Sequence, residues 1–330
     1  MPSPDQLSTI QTLLQNANLR GWLLYDFRGL NPIARRVAPL PEHAFLSRRW
    51  AYWIPALGQP AWLVHAIERE PFQHLPEPVL TYSSWQSFEQ ALLTLTDGPG
   101  PIAGEYSPEC GIPYVSYIDA GTAEQLRRLG YDLHSSADLI QAVYATWTPA
   151  QLASHRAAVR ICLDAKDAAF AHIAARLRTG IPTTELDIQQ FILDRFAESG
   201  LDPDHPPIVA VNGNAGNPHY APSPAHHSPI RPGDLILIDL WGKLMDVPDA
   251  VFADMTWMGY AGENPPAEMR QVFDIVARAR DAAIELVERR TAAGETLHGW
   301  EVDDAARNVI REAGYGDAFI HRTGHSIDTA

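Results

Sequence analysis

Two aspartates in the second half of the chain occupy positions where a charged side chain is unexpected. Asp239 lies within LILIDLWG, a run that is apolar on both sides of the carboxylate, and Asp254 lies within the next such run, VFADMTWMGY. Both runs have the composition of buried β-strands. Because a buried carboxylate is costly unless it is hydrogen-bonded, paired or bound to a metal ion, both residues are candidate site residues.

An antiparallel hairpin would bring the two carboxylates together. If the connection is centred at residues 246–247, Asp239 lies directly opposite Asp254. Residues that face each other in this way have Cβ atoms roughly 4.5–5.5 Å apart. Two carboxylates at that distance repel each other unless they share a proton, as in an acid protease or glycosidase, or bind a cation, as in a metal hydrolase. The matching positions in two apolar strands favour the cation.

Three histidines are candidates for the same site. His321 and His325 stand four residues apart in HRTGH, where Thr323 and Gly324 disfavour a helix, so we expect an extended segment. Residues four apart in extended chain point to the same side, so both imidazoles would face one cavity. His219 follows the stretch GNAGN in a proline-rich loop, where the backbone can approach a ligand closely.

This set of side chains favours a transition metal. Carboxylates combined with imidazole suit Mn²⁺, Co²⁺, Fe²⁺ or Zn²⁺ better than Ca²⁺ or Mg²⁺ alone. Two such ions about 3.5–4 Å apart would form a hydrolytic site. A pair of ions needs more carboxylates than Asp239 and Asp254 supply.

The elements that must position these residues occur in two similar sets. A long helix that ends at Gly180 is followed by a shorter helix that ends at Gly200, a strand and His219. A second long helix ends at Gly294, and a shorter helix that ends at Gly314 leads into the segment with the other histidines. This weak internal duplication predicts two halves that pack around one central site.

The first part of the chain, residues 1–147, predicts a separate α/β domain. GWLLYDF and PIAGEY predict strands, AGTAEQLRRLG predicts a helix, and YWIPALGQPAWLVH predicts a hairpin that turns at Gly58. Thr148 and Pro149 then mark the start of the long helix that opens the second domain, residues 148–330. A chain of 330 residues exceeds an ordinary single core, in agreement with two domains.

Composition excludes several classes of partner. A net charge of −15 and a pI near 5.2 argue against nucleic acid and against an anionic membrane surface. Cys110 and Cys162 have no metal-type spacing and predict reduced thiols. Because no signal peptide and no membrane-spanning apolar run is visible, we expect a cytoplasmic protein.

Four motifs in this order resemble those of a known family. NPHY, PGDLILIDLWG, ADMTW and HRTGHSI are similar to the metal-site motifs of the creatinase/prolidase superfamily, the pita-bread metallopeptidases. The α/β domain that precedes them resembles the branch of Xaa-Pro aminopeptidases and Xaa-Pro dipeptidases, or prolidases. The resemblance implies an α/β (α+β) protein, in which a creatinase-like domain precedes a pita-bread domain built from pseudo-twofold helix–helix–strand halves.

The resemblance also implies a role for each candidate residue. Asp239, Asp254 and His325 would be metal ligands, with Asp254 bridging two divalent ions, foremost Mn²⁺, with Co²⁺, Zn²⁺ or Fe²⁺ as alternatives. His219 and His321 would line the substrate site and stabilise the tetrahedral intermediate or the leaving group. A metal-bridging hydroxide would cleave the Xaa-Pro bond of a short, proline-containing peptide, and the enzyme would be a homodimer.

Three departures from the family pattern keep other functions open. The two aspartates are further apart than in most members, and Trp257 stands where many relatives have arginine. The two glutamate ligands that the family places after the histidine do not follow His325, so we expect a C-terminally truncated chain with an incomplete pita-bread domain. The alternatives are an inactive pita-bread module that binds a peptide or protein, and a metal-free, creatinase-like C–N hydrolase.

Overall fold

The chain folds into two compact units, Met1–Thr146 and Trp147–Ala330, in a computed structural model that describes residues 4–41 and 44–329. Each unit has its own sheet and its own hydrophobic core. Among the described helices, none combines the length and the apolar character needed to cross a lipid bilayer.

The first unit is built on a six-stranded mixed sheet with the strand order β4-β3-β2-β1-β5-β6. Its strands are β1 (Gly21–Phe27), β2 (Arg49–Pro55), β3 (Ala61–His65), β4 (Val79–Tyr82), β5 (Pro101–Gly104) and β6 (Asp132–Ser135). Its helices are α1 (Pro4–Asn16), α2 (Pro32–Val37), α3 (Trp85–Leu95), α4 (Ala120–Arg128) and α5 (Ala137–Tyr144). The predicted hairpin is present, because β2 pairs antiparallel with β3 and Gly58 adopts a left-handed φ of 108° between them.

A buried polar network closes one end of this sheet. Glu105, which is fully buried after β5, accepts hydrogen bonds from Trp22 Nε1 (2.7 Å), Asn31 Nδ2 (2.7 Å) and Ser136 Oγ (3.1 Å). Burial raises the pKa of the Glu105 carboxyl to about 7, although the three hydrogen bonds act in the opposite direction. The network therefore contains a carboxyl group that titrates near neutral pH.

The second unit combines a four-stranded antiparallel sheet with two pairs of helices. Its strands are β7 (Leu201–Asp202), β8 (Ile208–Val211), β9 (Leu235–Leu244) and β10 (Ala253–Tyr260). Its helices are α6 (Pro149–Thr179), α7 (Glu185–Glu198), α8 (Ala267–Ala292) and α9 (Gly299–Glu312). Strand β9 is central, since β10 pairs with one of its edges and β7 and β8 pair with the other.

Local signals set the ends of the first helix pair. Thr148 caps α6 in a capping box with Pro149 in the first turn, and Gly180 ends the helix with a left-handed φ of 71°. Thr184 and Asp187 form a reciprocal capping box at the start of α7. These helix limits agree with the sequence prediction.

The alternation of β9 decides which side chains face the helices. Ile236, Ile238 and Leu240 are buried in the core that includes α6 and α7. Asp239 and Trp241 alternate with them and therefore point to the opposite face of the sheet. The second helix pair, α8 and α9, has its own small core.

The chain after α9 differs from the prediction. An extended segment was expected at HRTGH, but a short 3-10 turn, Gly316–Ala318, is followed by irregular chain to residue 329. This C-terminal segment accepts hydrogen bonds from neighbouring residues. Phe252 N donates to Asp328 O (3.2 Å), and Lys243 Nζ donates to Thr329 O (2.7 Å).

Candidate metal centre

The two aspartates lie on the same face of the β9–β10 hairpin but are not directly opposite. Asp239 pairs with Thr256, and Asp254 pairs with Trp241. The pairing of Gly242 with Ala253 centres the connection at residues 247–248 instead of 246–247, so the predicted register is wrong. Asp239 and Asp254 are diagonal neighbours, for which Cβ atoms are roughly 7–8 Å apart or somewhat closer.

The physical reason for this register lies in the residues before β10. Ala250 and Val251 are buried, and Val251 N donates a hydrogen bond to Ser154 Oγ of α6 (3.2 Å). His155 of α6 bonds to the carbonyl oxygen of Phe252 through Nδ1 (2.7 Å). Residues 250–252 therefore pack against α6 before β10 begins. The connection between β9 and β10 is longer on its β10 side for this reason.

Asp239 has a partner of its own on β10. Thr256 Oγ1 donates a hydrogen bond to Asp239 Oδ1 at 2.7 Å. Burial raises the pKa of the Asp239 carboxyl, the Thr256 hydrogen bond lowers it, and the nearby Asp254 charge raises it again. The Asp254 and His325 charges both act on Asp239, so the three predicted ligands share one electrostatic environment.

Asp254 and His325 are in direct contact. His325 Nε2 lies 3.4 Å from Asp254 Oδ2, and the imidazole is half exposed. His325 Nδ1 lies 2.9 Å from the carbonyl oxygen of Ser326. Because a carbonyl oxygen only accepts hydrogen bonds, Nδ1 carries a hydrogen and Nε2 of the neutral ring presents a lone pair to the carboxylate. Such an arrangement is repulsive unless the ring is protonated or a cation lies between the two atoms.

The separation of these atoms fits ligands of a shared cation. A charge-assisted N–H···O hydrogen bond is about 2.7–2.9 Å long, which is shorter than the 3.4 Å observed between His325 Nε2 and Asp254 Oδ2. Two ligand atoms that each lie roughly 2.1 Å from a tetrahedrally coordinated metal ion are about 3.4 Å apart. The observed distance of 3.4 Å equals this ligand-to-ligand distance, and the assignment of Asp254 and His325 as metal ligands stays a prediction.

The described residues supply only part of a metal centre. Across residues 4–41 and 44–329, no three histidine, cysteine or acidic side chains converge closely enough to hold an ion. Asp254 and His325 share a shallow cavity of about 260 Å³ with Trp241 and Phe252, whereas Asp239 is not among its lining residues. The three predicted ligands remain predictions, of which the structure brings two into contact.

The other two predicted site histidines lie apart from this cavity. His321 is exposed, and its ring packs edge-on against Phe319 at 5.0 Å between centroids. His219 is also exposed, and its backbone N donates to Asn217 Oδ1 at 3.0 Å. Neither imidazole lines the cavity of Asp254 and His325, so their roles toward a substrate stay predictions.

Trp257, the departure from the family pattern, lies on the other face of the sheet. It pairs with Ile238, whose side chain faces α6, and Lys166 Nζ of α6 lies 4.0 Å above the Trp257 ring centroid. This position supports a cation–π contact between the helix and the edge of the sheet. Trp257 is therefore a packing residue that does not face the two aspartates.

Glu185 is the residue that sequence reasoning missed. It is fully buried at the start of α7, where it binds the loop that carries His219. The signal was present in the sequence, since Glu185 shares the apolar stripe of α7 with Ile188, Ile192 and Phe196. A carboxylate in such a stripe indicates a specific buried partner.

The model of metallopeptidase family M24 matches residues 154–330, which is more than half of the chain. The chain belongs to this family.

Relatives with assigned names are similar over somewhat less than half of the chain. A Xaa-Pro dipeptidase of Lactobacillus helveticus is 31% identical over 161 residues, which cover 49% of this chain and 38% of the relative. A putative Xaa-Pro aminopeptidase of Mycoplasma pneumoniae is 32% identical over 146 residues, covering 44% of this chain and 38% of the relative. The chain thus spans less than half the length of these relatives in the matched regions.

Solved structures extend the likeness to the whole chain. Dipeptidase PepE from Mycobacterium ulcerans has a TM-score of 0.63 at 20% identity, and the match covers 99% of this chain and 81% of the PepE chain. The prolidase of Thermococcus sibiricus has a TM-score of 0.56 at 20% identity, and the match covers 100% of this chain and 83% of the prolidase chain. At this identity the likeness shows the fold alone, and it confirms the predicted α/β pita-bread class.

Proposed function

We propose that this protein is a metal-dependent exopeptidase that cleaves Xaa-Pro peptide bonds, as an aminopeptidase or a dipeptidase. The single observation that carries the proposal is the Asp254–His325 pair, whose 3.4 Å separation fits two ligands of one cation. Membership of metallopeptidase family M24 supports it, as do relatives named Xaa-Pro dipeptidase and Xaa-Pro aminopeptidase.

Asp239, Asp254 and His325 would hold divalent metal ions, with Mn²⁺ as the first candidate. An X-prolyl aminopeptidase of Caenorhabditis elegans with the same fold is described as a cytosolic enzyme with a di-nuclear active site, which supports two ions here and a cytoplasmic protein. Bound divalent ions would activate water and polarise the scissile carbonyl group. Thr256 orients Asp239 through its 2.7 Å hydrogen bond, and Ser326 fixes the ring of His325 so that Nε2 faces the site.

The protein's own residues would also bind the peptide. Trp241 and Phe252 give the cavity beside Asp254 two aromatic walls, which suit the apolar ring of a proline residue. His219 and His321 would donate hydrogen bonds to the reacting carbonyl or to the leaving group, and both are exposed on loops that are able to meet a substrate. Short, proline-containing peptides are therefore the proposed substrates.

The test is hydrolysis of Ala-Pro and Ala-Pro-Ala by the full chain with added Mn²⁺, compared with Ala-Ala. We expect cleavage of the proline-containing peptides, loss of activity with a chelator, and at least 100-fold lower turnover in Asp254→Asn because a ligand is lost. Asp249→Asn, in the connection that precedes β10 and outside the cavity, is the matched control. Metal-independent hydrolysis, or full activity of Asp254→Asn, would refute the proposal.

An inactive module that binds peptides is the second candidate. It is favoured by one observation, which is that no complete set of three converging ligands is found among the described residues. Calorimetry with Ala-Pro separates the two candidates, because binding without any turnover identifies the module. A metal-free C–N hydrolase is disfavoured, since such an enzyme has no need of the contact between Asp254 and His325.

A further inference from the structure

Glu185 combines complete burial with a negative charge and neutral partners. It stands in the first turn of α7, and none of its surface is exposed. The helix does not need this side chain as a cap, because Thr184 and Asp187 already form a reciprocal capping box. The Glu185 carboxylate is therefore available for another purpose.

Both carboxylate oxygens bind the segment that runs from β8 into the proline-rich loop. Oε1 accepts hydrogen bonds from Val211 N (2.7 Å) and Asn214 Nδ2 (2.9 Å). Oε2 accepts hydrogen bonds from the Tyr220 hydroxyl (2.5 Å) and from Ser228 N (2.6 Å). One buried side chain thus fixes the start, the middle and the end of this loop.

One of these contacts lies next to His219 in the chain. Tyr220 N donates to the carbonyl oxygen of Asn217 at 3.0 Å, which closes a turn with Pro218 and His219 at its centre. Asn217 Oδ1 accepts from His219 N at 3.0 Å. Because Tyr220 is buried and held by Glu185, the end of the turn is fixed and the exposed imidazole of His219 is presented from a defined backbone.

We propose that Glu185 is a positioning residue, which acts through Tyr220 to hold His219 in the orientation that the hydrolysis of Xaa-Pro bonds requires. The inference rests on the proposed function for its catalytic consequence, but the anchoring itself is independent of it. A buried carboxylate suits this role because hydrogen bonds to a charged acceptor are shorter and stronger than those to a neutral one. A displacement of about 1 Å at a reacting group can cost 100-fold in rate.

The experiment compares Glu185→Gln, Tyr220→Phe and His219→Ala in the full chain with added Mn²⁺. We expect kcat for Ala-Pro to fall about 10- to 100-fold in Glu185→Gln, with little change in KM, and less in Tyr220→Phe, which removes one donor only. In the His219→Ala background, Glu185→Gln should have no further effect on kcat, because its action passes through His219. Glu198→Gln, exposed at the other end of α7, is the matched control and should behave as wild type.

Hydrogen exchange followed by mass spectrometry supplies a readout that needs no activity. Peptides that span residues 212–228 should exchange faster in Glu185→Gln and Tyr220→Phe, while peptides of α6 and β9 should not change. Unchanged exchange of the loop in both variants would overturn the inference whether or not the protein is an enzyme. If the wild type hydrolyses Ala-Pro and Glu185→Gln lowers kcat equally with and without His219, the positioning role is overturned while the proposed function stands. If the wild type does not hydrolyse Xaa-Pro bonds, the proposed function fails, and faster loop exchange still supports the anchoring.

Discussion

Glu105 should make the stability of the first unit fall as pH rises through neutrality. Its carboxyl group is fully buried, and burial raises the pKa from an ordinary value of 4.5 to about 7. The folded unit therefore holds a proton that the unfolded chain has already released. The contribution of this proton to stability is complete below about pH 4.5 and is lost as pH rises through about 7.

The magnitude follows from the size of the shift. A shift from 4.5 to about 7 corresponds to about 3 kcal/mol, most of which falls between pH 5 and pH 8. The Glu105→Gln variant has no ionisable group at position 105, so its free energy of unfolding lacks the contribution of this proton. The difference between the two free energies of unfolding isolates this contribution, because all other ionisable groups cancel.

The assay is urea unfolding at pH 5, 6, 7 and 8, followed by tryptophan fluorescence. Trp22, Trp50 and Trp62 are fully buried in the first unit and report its unfolding. The free energy of unfolding of the wild type should fall by about 2–3 kcal/mol relative to that of Glu105→Gln across this range. Glu124→Gln, an exposed substitution on α4, should show the same pH dependence of stability as the wild type. Parallel curves for the wild type and Glu105→Gln would refute the reasoning.

Two further predictions concern packing in the second unit. Gly259→Ala should destabilise it by about 1–3 kcal/mol, since an added Cβ would lie 2.5 Å from Phe170 Cε1, whereas Gly299→Ala meets no atom within 4 Å. A melting temperature equal to that of Gly299→Ala would contradict this. Trp257→Ala should cost about 1 kcal/mol or more through the lost contact with Lys166, and Trp257→Phe should cost less. Equal denaturant midpoints of the two Trp257 variants would argue against the cation–π contact.

Features that depend on local sequence were predicted well. The start of α6 at Thr148 and Pro149 and its end at Gly180 follow from capping chemistry that acts within one turn. The strands that carry Asp239 and Asp254, and the family itself, also follow from the motifs. In each case the determining residues are close together in the sequence.

Features that depend on packing between distant residues were not predictable. The register of Asp239 and Asp254 is set by residues 250–252, which pack against α6 about a hundred positions earlier in the chain. The burial of Glu185 was signalled by its place in the apolar stripe of α7, but its partners Tyr220 and Ser228 could not be predicted, because only the tertiary fold brings them to α7.

The most direct test of the metal centre is calorimetric titration of the metal-free full chain with Mn²⁺. The wild type should bind Mn²⁺, and Asp254→Asn and His325→Ala should each weaken binding at least 10-fold, because each would remove one of the proposed ligands. His321→Ala and Asp249→Asn should leave the affinity unchanged, since neither residue lines the cavity. Wild-type affinity in both Asp254→Asn and His325→Ala would contradict the assignment of these residues as metal ligands.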